Sequence, residues 1–527
     1  VNFSRSVRHL RRRWARLPSL RLSVPDAPAR PVRDPWPGDA ARGARLLRGE
    51  LAHEGAVRPL KPGGWADPSC SAALRIYAHG FAWLRDLRVV GTDAARMRAR
   101  ALVGDWIDAG AEPISERPDV AGTRIAAWLA HFDFFAASAD DPFRQKLMGR
   151  LVWDARQLSA ALPAEALDGR ALTALKGLVS ACVALPDHTG YLPRALKFLP
   201  QEIGRQVLPD GGHVERSPAA HVQALRDLIE IRALLNVAGI APPAALLSAV
   251  ERMAVALRML RHGDGGLSLF NGTRDEPATL IDLVLVQAGR GARPPACLPD
   301  MGFQRMQAGR TVLIVDAGAP AAPGQDRLAH AGTLSFELSV GRERMIVNCG
   351  AAPVTGAHWT DAARATAAHS ALVIADTSSS ELKPVGLGRR PLHVSAERQE
   401  ANGAHWLEAS HDGWKKPFGA IHRRRIYLAE SGEDIRGEDV IEAQAGQPYA
   451  VRFHLHPSVI ASMQQDGEAV LLRLPGGGWR LRAEGARMAL EESVYLGGPE
   501  PRRCEQVVLS GFADGAQQVK WAITKVG

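Results

Sequence analysis

Three features of the sequence predict an α-helical half followed by an antiparallel β-sandwich half. Apolar residues recur at three- and four-residue steps from residue 40 to about 290. From about residue 301 the step shortens to two, in short runs separated by turn residues. Between them lies "GRGARPPACLPD", rich in Pro, Gly and Arg, which sets the boundary near 290–300. The expected organisation is a basic arm over 1–34, a helical domain over 35–292 and a strand domain over 300–527.

The helical segments follow in order: "DAARGARLLRGELAHEG", "SAALRIYAHGFAWLRDLRVVG", "DAARMRARALVGDWIDAG", "GTRIAAWLAHFDFFAAS", "PFRQKLMGRLVWDARQLSAAL", "ALTALKGLVSACVAL", "LPRALKFLPQEIGRQVL", "AHVQALRDLIEIRALLNVAG" and "AALLSAVERMAVALRMLRHG". Several stop at Gly or just before Pro, where a helix can be capped but not continued. Nothing in this half reads as a strand, so it is expected to be all-α, packed as antiparallel helix pairs.

The strand segments begin with "TVLIVDAG", "LSFELSVG", "RMIVNCG" and "SALVIAD". They continue through "HWLEASHDG", "HRRRIYLAE", "YAVRFHLHP", "AVLLRLP", "WRLRAEG", "EQVVLSGF" and "QVKWAITKV". Alternation in "YAVRFHLHP" puts Tyr449, Val451, Phe453 and Leu455 on one face and Arg452, His454 and His456 on the other. Many short strands at regular spacing read as a sandwich.

Length and composition narrow the function classes. The chain has 527 residues, enough for several domains of about 100–200 residues. Its net charge of +9 favours an acidic partner such as nucleic acid, an anionic polysaccharide or an anionic membrane. Five widely spaced cysteines argue against a disulfide framework, and no Cys-x-x-Cys pair suggests a zinc knuckle. No apolar run approaches the ~18 residues of a membrane span. The first sixteen residues hold six arginines and no acid, with no apolar stretch of a secretory signal behind them. They read as a basic arm or an amphipathic tail. The chain starts with Val rather than Met, so export and a cytoplasmic location both stay open.

Three places could carry chemistry. In "LPDGGHVERSPAAH", His213, Glu215, Arg216 and His221 fall within nine residues. Part of this stretch is helix entry: Ser217 can cap, and Pro218 suits the first helical position. His221 shares a helical stripe with Leu225 and Leu228, so it also reads as a core-edge histidine. The crowding of His213, Glu215 and Arg216 is left over, and crowded ionisable groups in a loop point to a site. In "RHGDGGLSLFNG", His262 and Asp264 flank glycines after a helix, which reads as a site or as a capped turn. His330, Asn348 and His369 stand at strand ends, where they could hold a metal or be structural. "LPGGGWRL" lacks the Lys-Ser/Thr of a phosphate loop, and no Gly-x-Ser-x-Gly elbow of an α/β-hydrolase occurs. "HRRRIYL" is basic, but alternation divides its arginines between two faces.

These motifs together resemble the heparinase II/III-like family of polysaccharide lyases. The resemblance rests on "DGGHVERSPAAH", "HAGTLSFELSVGRERMIVNCG", "ARATAAHSALVIAD" and "HDGWKKPFGAIHRRRIYL", with "WPGDAARGARLLRGE", "HGFAWLRDLR" and "FHLHP". They occur in the family's order from about residue 35 to 457. The resemblance implies an incomplete α/α toroid followed by a β-sandwich, and an acidic glycan as substrate. It implies β-elimination at a uronic acid: a base takes the C5 proton, an acid protonates the leaving oxygen, and a third group neutralises the carboxylate. It also implies work in the periplasm or cell envelope.

Three positions depart from the family pattern. Ala220 stands where a catalytic Tyr is usual, and Gly169, Arg170 and Ala171 stand at the usual Asn/His motif. Leu328, His330 and Gly332 stand in place of His-x-His-x-Asp. His330 and His369 match zinc-binding positions of some relatives, with Asn348 at the third. Two readings follow. In a divergent lyase, Arg170 neutralises the carboxylate, His213 transfers the proton under the influence of Glu215, and Arg216, His221, His262 and Asp264 hold the chain. In the alternative, the fold persists without elimination and binds an acidic polysaccharide. Nucleic-acid binding through the arm is a third class, in which removal of residues 1–16 abolishes affinity.

Overall fold

The computed structural model describes residues 24–526 other than 111, 164, 186–189, 290–291, 355, 357 and 465–466, with only the backbone at 444–445. The basic arm up to residue 23 lies outside the described residues. By contact the chain forms two compact units. One is Val1–Gln206 with Gln223–Val250; the other is Val207–Val222 with Glu251–Gly527.

The first unit is α-helical. Four of its helices start where a side-chain oxygen accepts first-turn N–H groups, at Asp39, Ser71, Thr92 and Asp140. The helices Pro118–Ala130 and Arg170–Ala184 pack at glycines, since a Cβ at Gly177 would overlap the Gly122 backbone. Phe81, Trp106 and Trp128 form an aromatic core with ring centroids 5.2–5.7 Å apart. The buried Arg124 lies 4.3 Å over Trp106 and pairs with Asp154 at 2.8 Å.

Two expectations for this half need correction. "SAALRIYAHGFAWLRDLRVVG" is not one helix. It makes Ala72–Gly80 and Leu84–Val90, broken at Phe81, whose φ of 57° is left-handed. The half is also not all-α: Glu50–His53, the end of a segment read as helix, pairs with Ala56–Pro59 just beyond it as a hairpin. The cause is the turn. Glu54 and Gly55 both have positive φ, 46° and 81°, the two-residue geometry that matches strand twist.

In the second unit, every named strand from Cys297 onward belongs to one hydrogen-bonded network of 15 strands, mostly antiparallel neighbours in sequence. Its spine is a pair of long strands, Asp434–Leu455 and Arg502–Lys525, interrupted by a bulge between Ala443 and Gln447. "EQVVLSGF" and "QVKWAITKV" are thus parts of one strand, not two. Tyr449, Val451, Phe453 and Leu455 enter the core as their alternation predicts. There Trp521 stacks on Phe336 at 5.7 Å and meets Phe453 edge-on at 5.1 Å. On the opposite face of that strand His454 is also buried.

Candidate functional site

Nine of the ten candidate residues lie in the second unit. The loop after Val207 is tied down by backbone and carboxylate bonds. Val207 bridges to His213, and Gly211 needs its φ of 84° because a Cβ there would overlap the Arg252 backbone. Asp210 accepts from the N–H groups of Gly212, Asp300 and Met301, each at 2.8 Å. His213 is fully enclosed. Its Nδ1 accepts the Glu215 N–H at 3.4 Å and lies 4.0 Å from the Glu215 carboxylate. Arg327 approaches the other Glu215 oxygen at 3.5 Å.

Arg216 points inward. Its Nε donates to Met301 O at 2.6 Å, its Nη2 pairs with Asp316, and the guanidinium lies 5.1 Å over the Phe303 ring. Burial pushes the Asp316 carboxyl up, and Arg216 offsets only part of that. The positive φ of Arg216, 55°, is held by Asn271, whose Nδ2 donates to Arg216 O at 2.9 Å. Ser217 accepts the Ala220 N–H at 3.4 Å, and Thr273 accepts the Ala219 N–H at 3.1 Å. His221 donates from Nε2 to Met253 O at 2.8 Å, leaving Nδ1 buried without a partner. Burial holds His221 down to about 4, opposed in part by that backbone bond.

His262 and Asp264 belong to a neighbouring cluster. The fully buried Glu337 accepts from His262 Nε2 at 2.8 Å, from Leu269 N–H at 3.0 Å and from Asn348 N–H at 2.8 Å. Ser339 meets the other nitrogen of His262 at 2.9 Å. Burial works to raise the Asp264 carboxyl, but the Arg344 guanidinium at 2.8 Å brings it below the usual range. Arg344 also pairs with Asp275 at 3.1 Å, and Asp275 accepts the Tyr495 hydroxyl at 2.6 Å.

His330 and His369 do come together, in a directed chain. Gly272 N–H donates to His330 Nε2 at 3.0 Å, so the ring proton of His330 sits on Nδ1. That Nδ1 faces His369 Nε2 at 3.2 Å, and His369 Nδ1 donates to Ala365 O at 2.8 Å. Burial keeps both rings neutral, His369 at about 4 and His330 well below its usual value. Asn348 turns its oxygen to the Ser370 N–H at 3.0 Å, which leaves its amide nitrogen buried without a partner. Gly332 admits no side chain, since its Cβ would stand 2.7 Å from His369 Cδ2. A structural zinc ion takes four lone-pair donors. Two imidazoles and an amide N–H₂ do not fit one, and no group of three His, Cys, Asp or Glu among the described residues could hold a metal.

Arg170 is the tenth candidate and lies in the first unit. It opens the helix Arg170–Ala184 and its Nε contacts Asp168 at 2.8 Å. The sequence reading missed Asn271, Thr273, Asp316, Glu337 and Arg344. Their only signal was position, within or beside the quoted motifs.

A helical region leads into a 15-stranded β region, and the loop that carries His213, Glu215, Arg216 and His221 belongs to the same compact unit as those strands. The chain belongs to the heparinase II/III-like family. Residues 115–283 match "Heparinase II/III N-terminus" and residues 290–522 match "Heparinase II/III-like, C-terminal". It is 31% identical to FtsZ-localized protein C of Caulobacter vibrioides, over 98% of this chain and 94% of that protein. Its fold is similar to that of a heparinase III crystal structure, with TM-score 0.77, 13% identity, and 98% and 89% of the two chains covered. A mutant of heparan sulfate lyase HepC from Pedobacter heparinus gives TM-score 0.63 at 16% identity, covering 99% and 88%. Among the described residues no helix is long and apolar enough to cross a membrane.

Proposed function

We propose that this protein binds an acidic, uronate-containing polysaccharide of the cell envelope and does not cleave it. In this reading its helices form an incomplete α/α toroid and its strands a β-sandwich. The supporting observation is that the loop's ionisable groups are committed to the protein itself. His213 and His221 are enclosed, Arg216 is paired with Asp316, and His262 is held by Glu337. A general base has to reach the proton it removes, and a general acid the oxygen it protonates. Ala220, at the place of the family's Tyr, has no proton to give.

The test is to incubate the full chain with heparan sulfate, alginate and hyaluronan. Binding without absorbance from unsaturated uronate is the expected outcome. Turnover that His213→Ala abolishes would establish elimination instead. That second reading draws on the His213–Glu215 separation of 4.0 Å, which an enzyme could use to tune a proton-transferring imidazole. The 31% identical relative is named for localisation with FtsZ. We extend that to this chain, placing its work at the division site; a fluorescent fusion spread evenly over dividing cells would reject the extension.

A further inference from the structure

We infer that one exposed face of the strand region is a binding groove for a neutral polysaccharide chain, separate from the loop around His213. Six consecutive strands build it: Val394–Ala401, Ala404–Trp414, Ala420–Leu428, Asp434–Leu455, Arg502–Lys525 and Gly477–Glu484. Strict pairing lines their side chains into cross-strand rows. One row runs Glu397, Glu408, Arg425, Glu438, Lys520, Glu484. The next, two residues along each strand, has Trp406 beside Tyr427, flanked by Gln399 and Arg436 and ending at Arg482. Alternate residues such as Leu407 and Ile426 point into the core, which fixes this set outward.

The rows line an open groove of about 1250 Å³. That exceeds the ~300–1,000 Å³ of a small-molecule pocket, so the space suits several linked sugars. At its floor the Trp406 and Tyr427 rings lie 5.1 Å apart and 45° to one another. Trp406 is 40% exposed, a large apolar surface left facing water. Aromatic faces are electron-rich and attract the C–H face of a pyranose ring, which carries partial positive charge. Around them stand groups suited to hydroxyls: carboxylates accept O–H, and guanidinium and ammonium groups donate. Glu397, Glu484 and Lys520 make no ion pair among the described residues, and the Tyr427 hydroxyl has no hydrogen-bond partner there.

Charge selects the ligand class. Five carboxylates and four cations line the groove, although the whole chain carries +9. A polyanion would meet five like charges against four opposite ones. A protein partner would need an apolar centre depleted of charge, and Trp406 is the one large apolar side chain strongly exposed among the lining residues. A neutral polyhydroxyl chain uses both signs at once. This inference is independent of the acidic-polysaccharide reading, because it concerns different residues and a different ligand charge.

The experiment is titration of the full chain with chitohexaose, cellohexaose and mannohexaose, read by tryptophan fluorescence and calorimetry, with heparan sulfate as the polyanion comparator. At least one neutral hexasaccharide should bind. Trp406→Ala should weaken it about tenfold or more, and Tyr427→Ala somewhat less. Phe512→Ala, at an exposed aromatic outside the groove lining, should leave binding unchanged and so control for loss of a sticky ring. Unchanged melting temperatures would confirm that the variants fold. The inference is overturned if none of the three sugars binds, if Trp406→Ala binds them as the wild type does, or if that substitution impairs heparan sulfate alone.

Discussion

Arg216 and Arg425 belong to the same compact unit, and each grips carboxylate. Arg216 does so with 7% of its side chain exposed, against Asp316 at 4%. Arg425 spans Glu408 at 2.7 Å and Glu438 at 2.8 Å with 48% of its side chain in solvent. The first pair is part of the core, and the second is part of a surface a ligand can rearrange. Burial, rather than charge content, separates the enclosed loop from the usable face. A charge-rich loop in a sequence is therefore no guide to which charges remain for a partner.

The strongest test of the contrast is to remove one cation from each place. Arg216→Ala leaves Asp316 buried without its guanidinium, a defect of about 3–5 kcal/mol. Denaturant unfolding should show a large fall in midpoint with the slope unchanged. A loss below 1 kcal/mol would mean that water or a rearranged side chain reaches Asp316. The exposed counterpart, Arg425→Ala, should change stability by no more than about 0.5 kcal/mol in the same assay.

A pH experiment sharpens the difference further. An unfolded chain protonates His221 near 6.5, while the enclosed ring in the native state does so only near 4. The unfolded state therefore takes up the proton first as pH falls. The contribution of this ring is complete above pH 6.5 and declines as the pH drops towards 4, by about 3 kcal/mol in total. His221→Gln should flatten the stability curve over that window, even though it lowers stability at neutral pH. Equal slopes in the two proteins would show that His221 is solvated in the native state.

Periodicity made the two regions legible because helices and strands bury every third-or-fourth or every second residue. It failed where local backbone geometry overrode it. Glu54–Gly55 turned a segment of helical appearance into a hairpin, and Phe81 split a helix by adopting positive φ. The strand Arg502–Lys525 looked like two because "SGFADGAQQ" resembles a turn. Within it, Gly511 leaves room for Tyr449, since a Cβ would stand 2.5 Å from the Tyr449 hydroxyl oxygen. For the site, the clustering of His213, Glu215 and Arg216 was visible, but their partners were not. Asp316 lies a hundred residues from Arg216, and no spacing rule links them. The exposed face was closer to hand. "HRRRIYL" was set aside because alternation divides its arginines, and that division is what places Arg425 and Tyr427 on one face with Glu408 and Trp406.

The smallest expected effect concerns the His330–His369 pair, which is enclosed like Arg216 but carries no charge. Its hydrogen bonds run in one direction, from Gly272 N–H through both rings to Ala365 O. A metal entering there would displace the His330 proton, and no group of three His, Cys, Asp or Glu among the described residues could complete its shell. EDTA treatment should therefore leave the melting temperature unchanged, and added zinc should not raise it. Asn348→Asp offers the missing anionic ligand, and in that variant zinc should stabilise the fold by mass action. If the wild type itself melts earlier after EDTA, the imidazole chain is not the native state of the pair. The enclosed histidines would then belong with the ligand-binding groups rather than with the buried framework that contains Arg216 and Asp316.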